Sequence, residues 1–135
     1  MTPADMVRKW FTEVWREGGE KTVVELMDEH VVGKMEGTDI HNRAEFLIAR
    51  RQLMDTFPDI SIVVDDLIAE GDKVVVRWSV TGTHQGNGLG IPATGQAVGF
   101  RGMSWVEFEG GKVVRGWDCW NLGGLVQSLA SASAR

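Results

Sequence analysis

The hydrophobic period of this chain changes once, at the run Phe57-Pro58-Asp59, from the spacing of helices to that of strands. Before this run, apolar residues recur every three to four positions in three segments, which predicts helices at about 3–17, 20–29 and 42–56. After it, apolar and polar residues alternate, which predicts β-strands. Helices followed by an antiparallel meander are typical of an α+β domain whose helices pack on one face of a curved sheet and enclose a pocket.

The second half of the chain divides into strands at clear turn signals. The tightest are Glu70–Lys73 and Gly110-Gly111, and a glycine-rich segment over 84–96 predicts a rim or lid loop. Four long strands are therefore expected, at about 60–69, 74–83, 97–109 and 112–121. The remaining segments are interpreted as a short strand at 31–35, a loop at 38–42, a turn or short strand at 122–130 and a frayed tail at 131–135.

Composition limits the class of protein. The 135 residues are 43% apolar and 24% charged, which suits a single globular domain over 1–135. The net charge is −5 without basic clusters, so no nucleic-acid partner is expected. No apolar run approaches the length of a membrane span, and we expect a cytoplasmic protein. The histidines lack metal-ligand spacing and the glycine loop lacks a βαβ context, so no metal or nucleotide cofactor is expected.

Asp118 is the main candidate for chemistry, because it is a carboxylate within a strand rich in tryptophan. Burial raises the pKa of a carboxyl group, and a raised pKa suits a proton shuttle. The alternative is an aspartate at a strand end that faces solvent. Cys119 alternates away from Asp118 and is interpreted as a packing residue.

Arg77 lies in mid-strand and needs a carboxylate or an anionic ligand as partner. We assign its side of the strand, which includes Ser79, to the pocket, where it would orient a substrate or pair with Asp118. The alternative is an arginine that extends to the sheet edge. The other side of the strand is expected to pack against a second subunit and consists of Val74, Val76, Trp78 and Val80.

Further side chains are candidates for binding a small, flat, apolar or aromatic ligand. Phe11 and Trp15 lie on the first predicted helix, although residues of this kind also form ordinary core. His84 closes the second long strand beside the glycine loop. The other candidates lie on the last two strands and are Ser104 and Trp120.

Several runs in this order resemble the SnoaL-like polyketide cyclases, or ester cyclases, over about residues 5 to 130. The runs are Gly71-Asp72-Lys73-Val74-Val75-Val76-Arg77-Trp78, Thr81-Gly82-Thr83-His84, Ile91-Pro92-Ala93-Thr94-Gly95 and Trp117-Asp118-Cys119-Trp120-Asn121. The resemblance implies the cone-shaped α+β fold of nuclear transport factor two and a homodimer formed through the sheet. It also implies ring closure by intramolecular aldol condensation, without metal or cofactor, with Asp118 as the acid/base.

The chain departs at three points from the families that it resembles. The cyclases carry a histidine facing the aspartate, where this chain has Ser104. The epoxide hydrolases of the same fold resemble it at Arg77 and Asp118, but Ser79 stands where they have a second aspartate. Ketosteroid isomerase uses a tyrosine donor, and this chain contains no tyrosine.

Three hypotheses follow from the sequence. The first is an enzyme that uses Asp118 for cofactor-free proton transfer beside a carbonyl group, as in aldol-type cyclisation. The second is an epoxide-hydrolase-like enzyme that uses Asp118 and Arg77 around a water molecule. The third is a non-catalytic ligand-binding or assembly module of the same fold, because one fold hosts many functions.

Overall fold

The structure is a computed structural model that describes residues 1–133. Three helices and a short hairpin precede four long strands and a last helix. The elements in chain order are α1 (Pro3–Glu13), α2 (Glu20–Leu26), β1 (Met27–Met35), β2 (Thr38–Ile40), α3 (Arg43–Thr56), β3 (Ser61–Glu70), β4 (Lys73–Thr83), β5 (Ala97–Glu109), β6 (Lys112–Trp120) and α4 (Leu122–Ser133).

The predicted α+β class is confirmed, with one correction to the sheet. Its six strands have the order β2-β1-β6-β5-β4-β3, and β1 runs parallel to β6, so the sheet is mixed and not wholly antiparallel. Gly33 and Gly116 pair at this junction. A Cβ atom on Gly33 would overlap the carbonyl oxygen of Gly116, so glycine permits the close approach of the two backbones.

The observed helix starts agree with those predicted from the sequence, because capping residues form hydrogen bonds with backbone groups only a few positions away. Thr2 and Asp5 form a capping box at the start of α1, and the Asn42 side chain accepts the Glu45 N–H at the start of α3. The ends differ more, since α1 stops at Glu13 rather than near residue 17. A turn then connects α1 to α2.

Two segments were interpreted wrongly from the sequence. Residues 38–40 form strand β2 instead of a loop, because they pair with the end of β1. Residues from 122 onward form helix α4, although two glycines lie in its first turn. Leu125 and Leu129, four residues apart, are buried against Phe57, and this packing outweighs the weak helix propensity of glycine. The predicted frayed tail begins within α4, and residues 134–135 lie outside the described residues.

The largest correction concerns the two faces of β4. The apolar side, predicted to meet a second subunit, lies in the core beneath the helices and consists of Val74, Val76, Trp78 and Val80. The mixed side, predicted to face the pocket, lies on the outer face of the sheet. Alternation of residues along β4 identified which residues share a side, but it did not show which side faces the helices. The more apolar side packs against the helices of its own chain.

None of the helices in residues 1–133 combines the length and apolar character needed to cross a bilayer.

Candidate functional site

A cavity of about 270 Å³ lies between the helices and the inner face of the sheet. Its wall is mainly apolar and includes aromatic side chains of α1, α3 and three strands. Polar groups reach it chiefly from β5, β6 and the β1–β2 turn. The residues that define its character are Trp15, Trp78, Phe100, Trp120, Ser104 and Asp118.

Asp118 and Ser104 face each other across the paired strands β6 and β5. The Ser104 hydroxyl donates a hydrogen bond of 2.6 Å to Oδ1 of Asp118. The indole Nε1–H of Trp78 in turn donates to Ser104 Oγ at 3.0 Å. Because Trp78 occupies the acceptor side of the hydroxyl, the Ser104 proton is directed at the carboxylate. This arrangement fixes the orientation of Asp118 in the cavity wall.

Burial raises the pKa of Asp118 to about 6, because the charged form loses hydration among apolar neighbours. The hydrogen bond from Ser104 opposes this shift, and the negative charge of Glu36 adds to it. The Asp118 side chain is half-buried: it is accessible from the cavity that it lines, and protein atoms surround it on its other sides. A carboxylate with this pKa is mostly ionised at neutral pH and more basic than an ordinary aspartate.

Three predicted ligand-binding aromatic residues line the same cavity. Phe11 and Trp15 reach it from α1 and from the turn that follows this helix. Trp15 contacts Phe46 edge-on, with 6.1 Å between ring centroids. Trp120 stacks on Phe100 at 4.4 Å, two residues beyond Asp118 on the same strand. Together they provide flat apolar surfaces in the cavity that holds the carboxylate.

Arg77 and Ser79 do not belong to this site, and their predicted orientation toward the pocket is wrong. Arg77 is 54% exposed on the outer face, where Nη2 lies 4.0 Å from Asp66. Ser79 donates a hydrogen bond to Asp65 on the same face. Both residues alternate with the buried residues of β4, so the sheet itself separates them from Asp118.

His84 is fully buried but does not line the cavity. Its backbone N–H donates to Gln96 and its backbone carbonyl accepts from Gly95, which closes the base of the 84–96 loop. Its Nδ1 accepts the N–H of Thr94 at 3.3 Å. The structure therefore places His84 at the anchor of the loop and away from the predicted ligand contacts.

The 84–96 loop forms part of the cavity rim. The backbone N–H groups of Gln85 and Gly86 both donate to the carbonyl of Thr56 at the end of α3. Gly88 and Leu89 then reach the cavity itself. The loop is held against the helix by these bonds.

Glu36 also lines the cavity, although it was not among the residues predicted from the sequence. Glu36 and Gly37 form the tip of the hairpin between β1 and β2, and Glu36 Oε2 accepts the backbone N–H of Trp120 at 3.2 Å. The available signal was an acidic residue and a glycine between two short extended segments, which is typical of a hairpin turn. The residues of the described chain contain no group of three or more His, Cys, Asp or Glu arranged to hold a metal ion.

The family model described as SnoaL-like polyketide cyclase matches residues 5–129. The chain belongs to the SnoaL-like polyketide cyclase family. The solved structures that resemble it support the same cone-shaped fold. No curated protein matches the chain.

Three of these structures illustrate the similarity. A protein of Jannaschia sp. CCS1, assigned to the SnoaL-like polyketide cyclases, is 23% identical, with a TM-score of 0.89 over 96% of this chain and 92% of its own. TsrD of Streptomyces laurentii is 26% identical, with a TM-score of 0.83 over 96% of each chain. AclR of Streptomyces galilaeus, provisionally described as a hydroxylase, is 26% identical, with a TM-score of 0.82 over 96% of this chain and 81% of its own.

Replacing Ser104 with alanine is expected to raise the pKa of Asp118 further, because the hydrogen bond that favours the charged carboxylate is lost. The Trp78 N–H also loses its acceptor, which is expected to destabilise the fold by about 1 kcal/mol. A carbon-13 NMR titration of the Asp118 carboxyl measures the pKa. Ser79→Ala on the outer face is the matched control and leaves the titration unchanged; an unchanged titration in Ser104→Ala contradicts the assigned hydrogen bond.

Proposed function

We propose that this family member is a cofactor-free enzyme that transfers a proton next to a carbonyl group of a flat, mostly apolar ligand, as aldol-type ring closure requires. The observation that carries the proposal is Asp118, a carboxylate with a pKa of about 6, held by Ser104 in an aromatic cavity. A base with a pKa near neutrality combines a large ionised fraction with useful proton affinity.

The proposed reaction needs only this carboxylate. Asp118 removes a proton from the carbon beside a ligand carbonyl, which produces a neutral carboxylic acid and an enolate. The enolate carbon attacks a second carbonyl of the same ligand, so a carbon–carbon bond forms and the second oxygen becomes an alkoxide. Asp118 then returns the proton to that oxygen. Ser104 keeps Asp118 oriented throughout, and the aromatic walls hold the ligand flat.

The proposal is tested with 2-tetralone, a flat ketone with acidic protons beside its carbonyl. Proton NMR in D₂O measures how fast these protons exchange for deuterium. The enzyme is expected to accelerate the exchange, with a rate that rises with pH through the value at which Asp118 titrates. Binding of 2-tetralone without accelerated exchange at any pH would sink the enzymatic proposal and favour a ligand-binding module.

The structure does not support the epoxide-hydrolase-like hypothesis. It required Arg77 and Asp118 around one water molecule, and the sheet separates these two residues. The cavity contains no arginine among the described residues. We therefore retain the proton-transfer function as the proposal.

We also propose that two copies of the chain pack through the outer faces of their sheets. Exposed apolar side chains cover this face, and they include Val63, Ile68, Met103, Trp105 and Trp117. Charges of both signs lie among them, such as Arg77 and Asp66. A two-fold contact sets the same patch against itself, so a patch with charges of both signs can form ion pairs with its copy.

We also propose that the protein is cytoplasmic. The free thiol of Cys119 is compatible with this location.

Met103→Lys is expected to convert the dimer into monomers, because it places a second positive charge beside Arg77 at the centre of the outer face. Sedimentation velocity measures the oligomeric state. Ile48→Lys is the control, since Ile48 is a comparably exposed apolar residue on α3. A wild-type protein that sediments as a monomer at high concentration contradicts this part of the proposal.

A further inference from the structure

Glu36 is the second carboxylate of the cavity, and its position is fixed by the backbone. Its Oε2 accepts the N–H of Trp120, two residues beyond Asp118 on β6. Gly37 adopts a φ of +85°, which turns the hairpin tip toward the start of α4 and against Leu122. Two residues along a strand span about 7 Å, and the negative charge of Glu36 contributes to the raised pKa of Asp118, so the two carboxylates interact electrostatically.

The cavity offers these two carboxylates almost no positive charge. Lys34 is the single basic side chain that lines it within residues 1–133. That side chain is 58% exposed, and its Nζ lies 4.0 Å from Asp39. Glu36 and Asp118 form no ion pair with any described residue. A ligand therefore meets a cavity with negative charge at one end.

We propose that Glu36 determines which ligands the cavity accepts: it binds an O–H or N–H donor of a neutral or cationic ligand and disfavours ligands that carry a carboxylate or phosphate. This inference rests on the proposed function, since it takes the cavity as the binding site. Oε1 of Glu36 makes no hydrogen bond to the described residues, so it is available to a ligand donor. A hydrogen bond to a charged acceptor is stronger than a neutral one, whereas an anionic group there meets like charge.

Three probes of one size and shape test the preference: naphthalen-2-ylmethanol, naphthalen-2-ylmethylammonium and 2-naphthoate. Isothermal titration calorimetry measures their dissociation constants at neutral pH. The alcohol and the ammonium are expected to bind at least about tenfold more tightly than the carboxylate. Glu36→Gln is expected to reduce this difference by at least about threefold, to the part that the charge of Asp118 maintains, whereas Glu29→Gln, at an exposed position on β1, leaves it intact.

A second measurement needs no ligand. Carbon-13 titration of Asp118 is expected to give a lower pKa in Glu36→Gln than in the wild type, because the nearby negative charge is removed. Glu29→Gln leaves the titration unchanged. An unaltered pKa in Glu36→Gln overturns the inference, because the charge of Glu36 then does not reach the site.

The outcomes separate this inference from the function on which it rests. If the alcohol and the carboxylate bind the wild type equally, or if Glu36→Gln leaves their difference unchanged, the role of Glu36 is overturned while the cavity remains a binding site. If even the alcohol fails to bind the wild type, both this inference and binding in the cavity are overturned.

Discussion

Asp118→Asn is expected to abolish the exchange of 2-tetralone protons while leaving the fold intact. The amide keeps the shape of the carboxyl group and still accepts the hydrogen bond from Ser104, but it cannot take up a proton. General acid–base groups contribute roughly 10² to 10⁴ in rate, so the loss is expected to lie in that range. Proton NMR of the exchanging ketone measures it directly.

The same substitution is expected to make the protein more stable at neutral and higher pH. The pKa of Asp118 is about 6 in the folded protein and near 3.8 when the chain is unfolded. The folded state therefore binds the proton more tightly, and stability falls as the pH rises through this window. Above it, the ionised carboxylate opposes folding by an amount on the order of 3 kcal/mol, which asparagine removes.

Urea unfolding of the wild type and of Asp118→Asn checks this sign. The variant is expected to have the higher midpoint above about pH 7, and the difference is expected to shrink toward about pH 4.

The proton-exchange measurement has its own control. Asp66→Asn on the outer face is expected to retain full exchange activity. Exchange above about one-tenth of the wild-type rate in Asp118→Asn would remove Asp118 from the role of proton acceptor.

The opposite directions of these two effects have one physical cause. The apolar cavity that raises the pKa of Asp118 makes it a better base and at the same time disfavours its charged form. A variant that loses activity and gains stability is the signature of a group retained for its reactivity. If Asp118 were a purely structural aspartate, paired and hydrogen-bonded to stabilise the fold, its replacement would lower activity and stability together.

Asp118 could be predicted from the sequence because the argument is local. A carboxylate within a strand rich in tryptophan is expected to lie among apolar side chains, and a solvent-facing aspartate at the strand end was the alternative. The change of period at 57–59 is equally local, and it predicted the α+β class. Ser104 was also selected, although its contact with Asp118 depends on the register of β5 against β6.

Arg77 and Glu36 show what local patterns do not contain. Alternation along β4 groups Arg77 with Ser79, but whether that group meets the helices depends on where the helices pack. Glu36 reaches the cavity because β1 pairs in parallel with β6, a contact between residues more than eighty positions apart. Long-range pairing of this kind leaves no periodic signal in the sequence near either strand.

Arg50→Ala is expected to cause the largest loss of stability of any single substitution considered for this fold. Arg50 is 1% exposed, and each of the three nitrogens of its guanidinium donates a hydrogen bond. Nε donates to the carbonyl of Val14 at 2.7 Å, Nη2 to the carbonyl of Arg16 at 2.7 Å, and Nη1 to the carboxylate of Glu20 at 3.0 Å. One side chain from α3 thus holds the turn that joins α1 to α2.

Alanine would leave the carbonyl of Val14 without its donor, would leave the carbonyl of Arg16 with only the backbone N–H of Gly19, and would leave a cavity in the volume of the side chain. Breaking a buried polar network in this way typically costs about 3–5 kcal/mol, a large part of the roughly 5–15 kcal/mol that stabilises a domain. Lysine is expected to restore only part of the loss, because a single ammonium group cannot reproduce the planar fork that reaches three acceptors. Urea unfolding measures the order, with the wild type above Arg50→Lys and Arg50→Ala lowest.

Arg51 supplies the matched control, since it is the next residue on α3 and carries the same charge. Its guanidinium is 41% exposed and pairs with Glu17, Glu20 and Asp55 at the surface. Exposed ion pairs contribute little, so Arg51→Ala is expected to unfold close to the wild type. Equal losses of stability in Arg50→Ala and Arg51→Ala would show that charge, and not the buried network, stabilises the turn.

Because Trp15 of the cavity wall lies in this turn, Arg50→Ala is also expected to weaken 2-tetralone binding under conditions in which the variant remains folded.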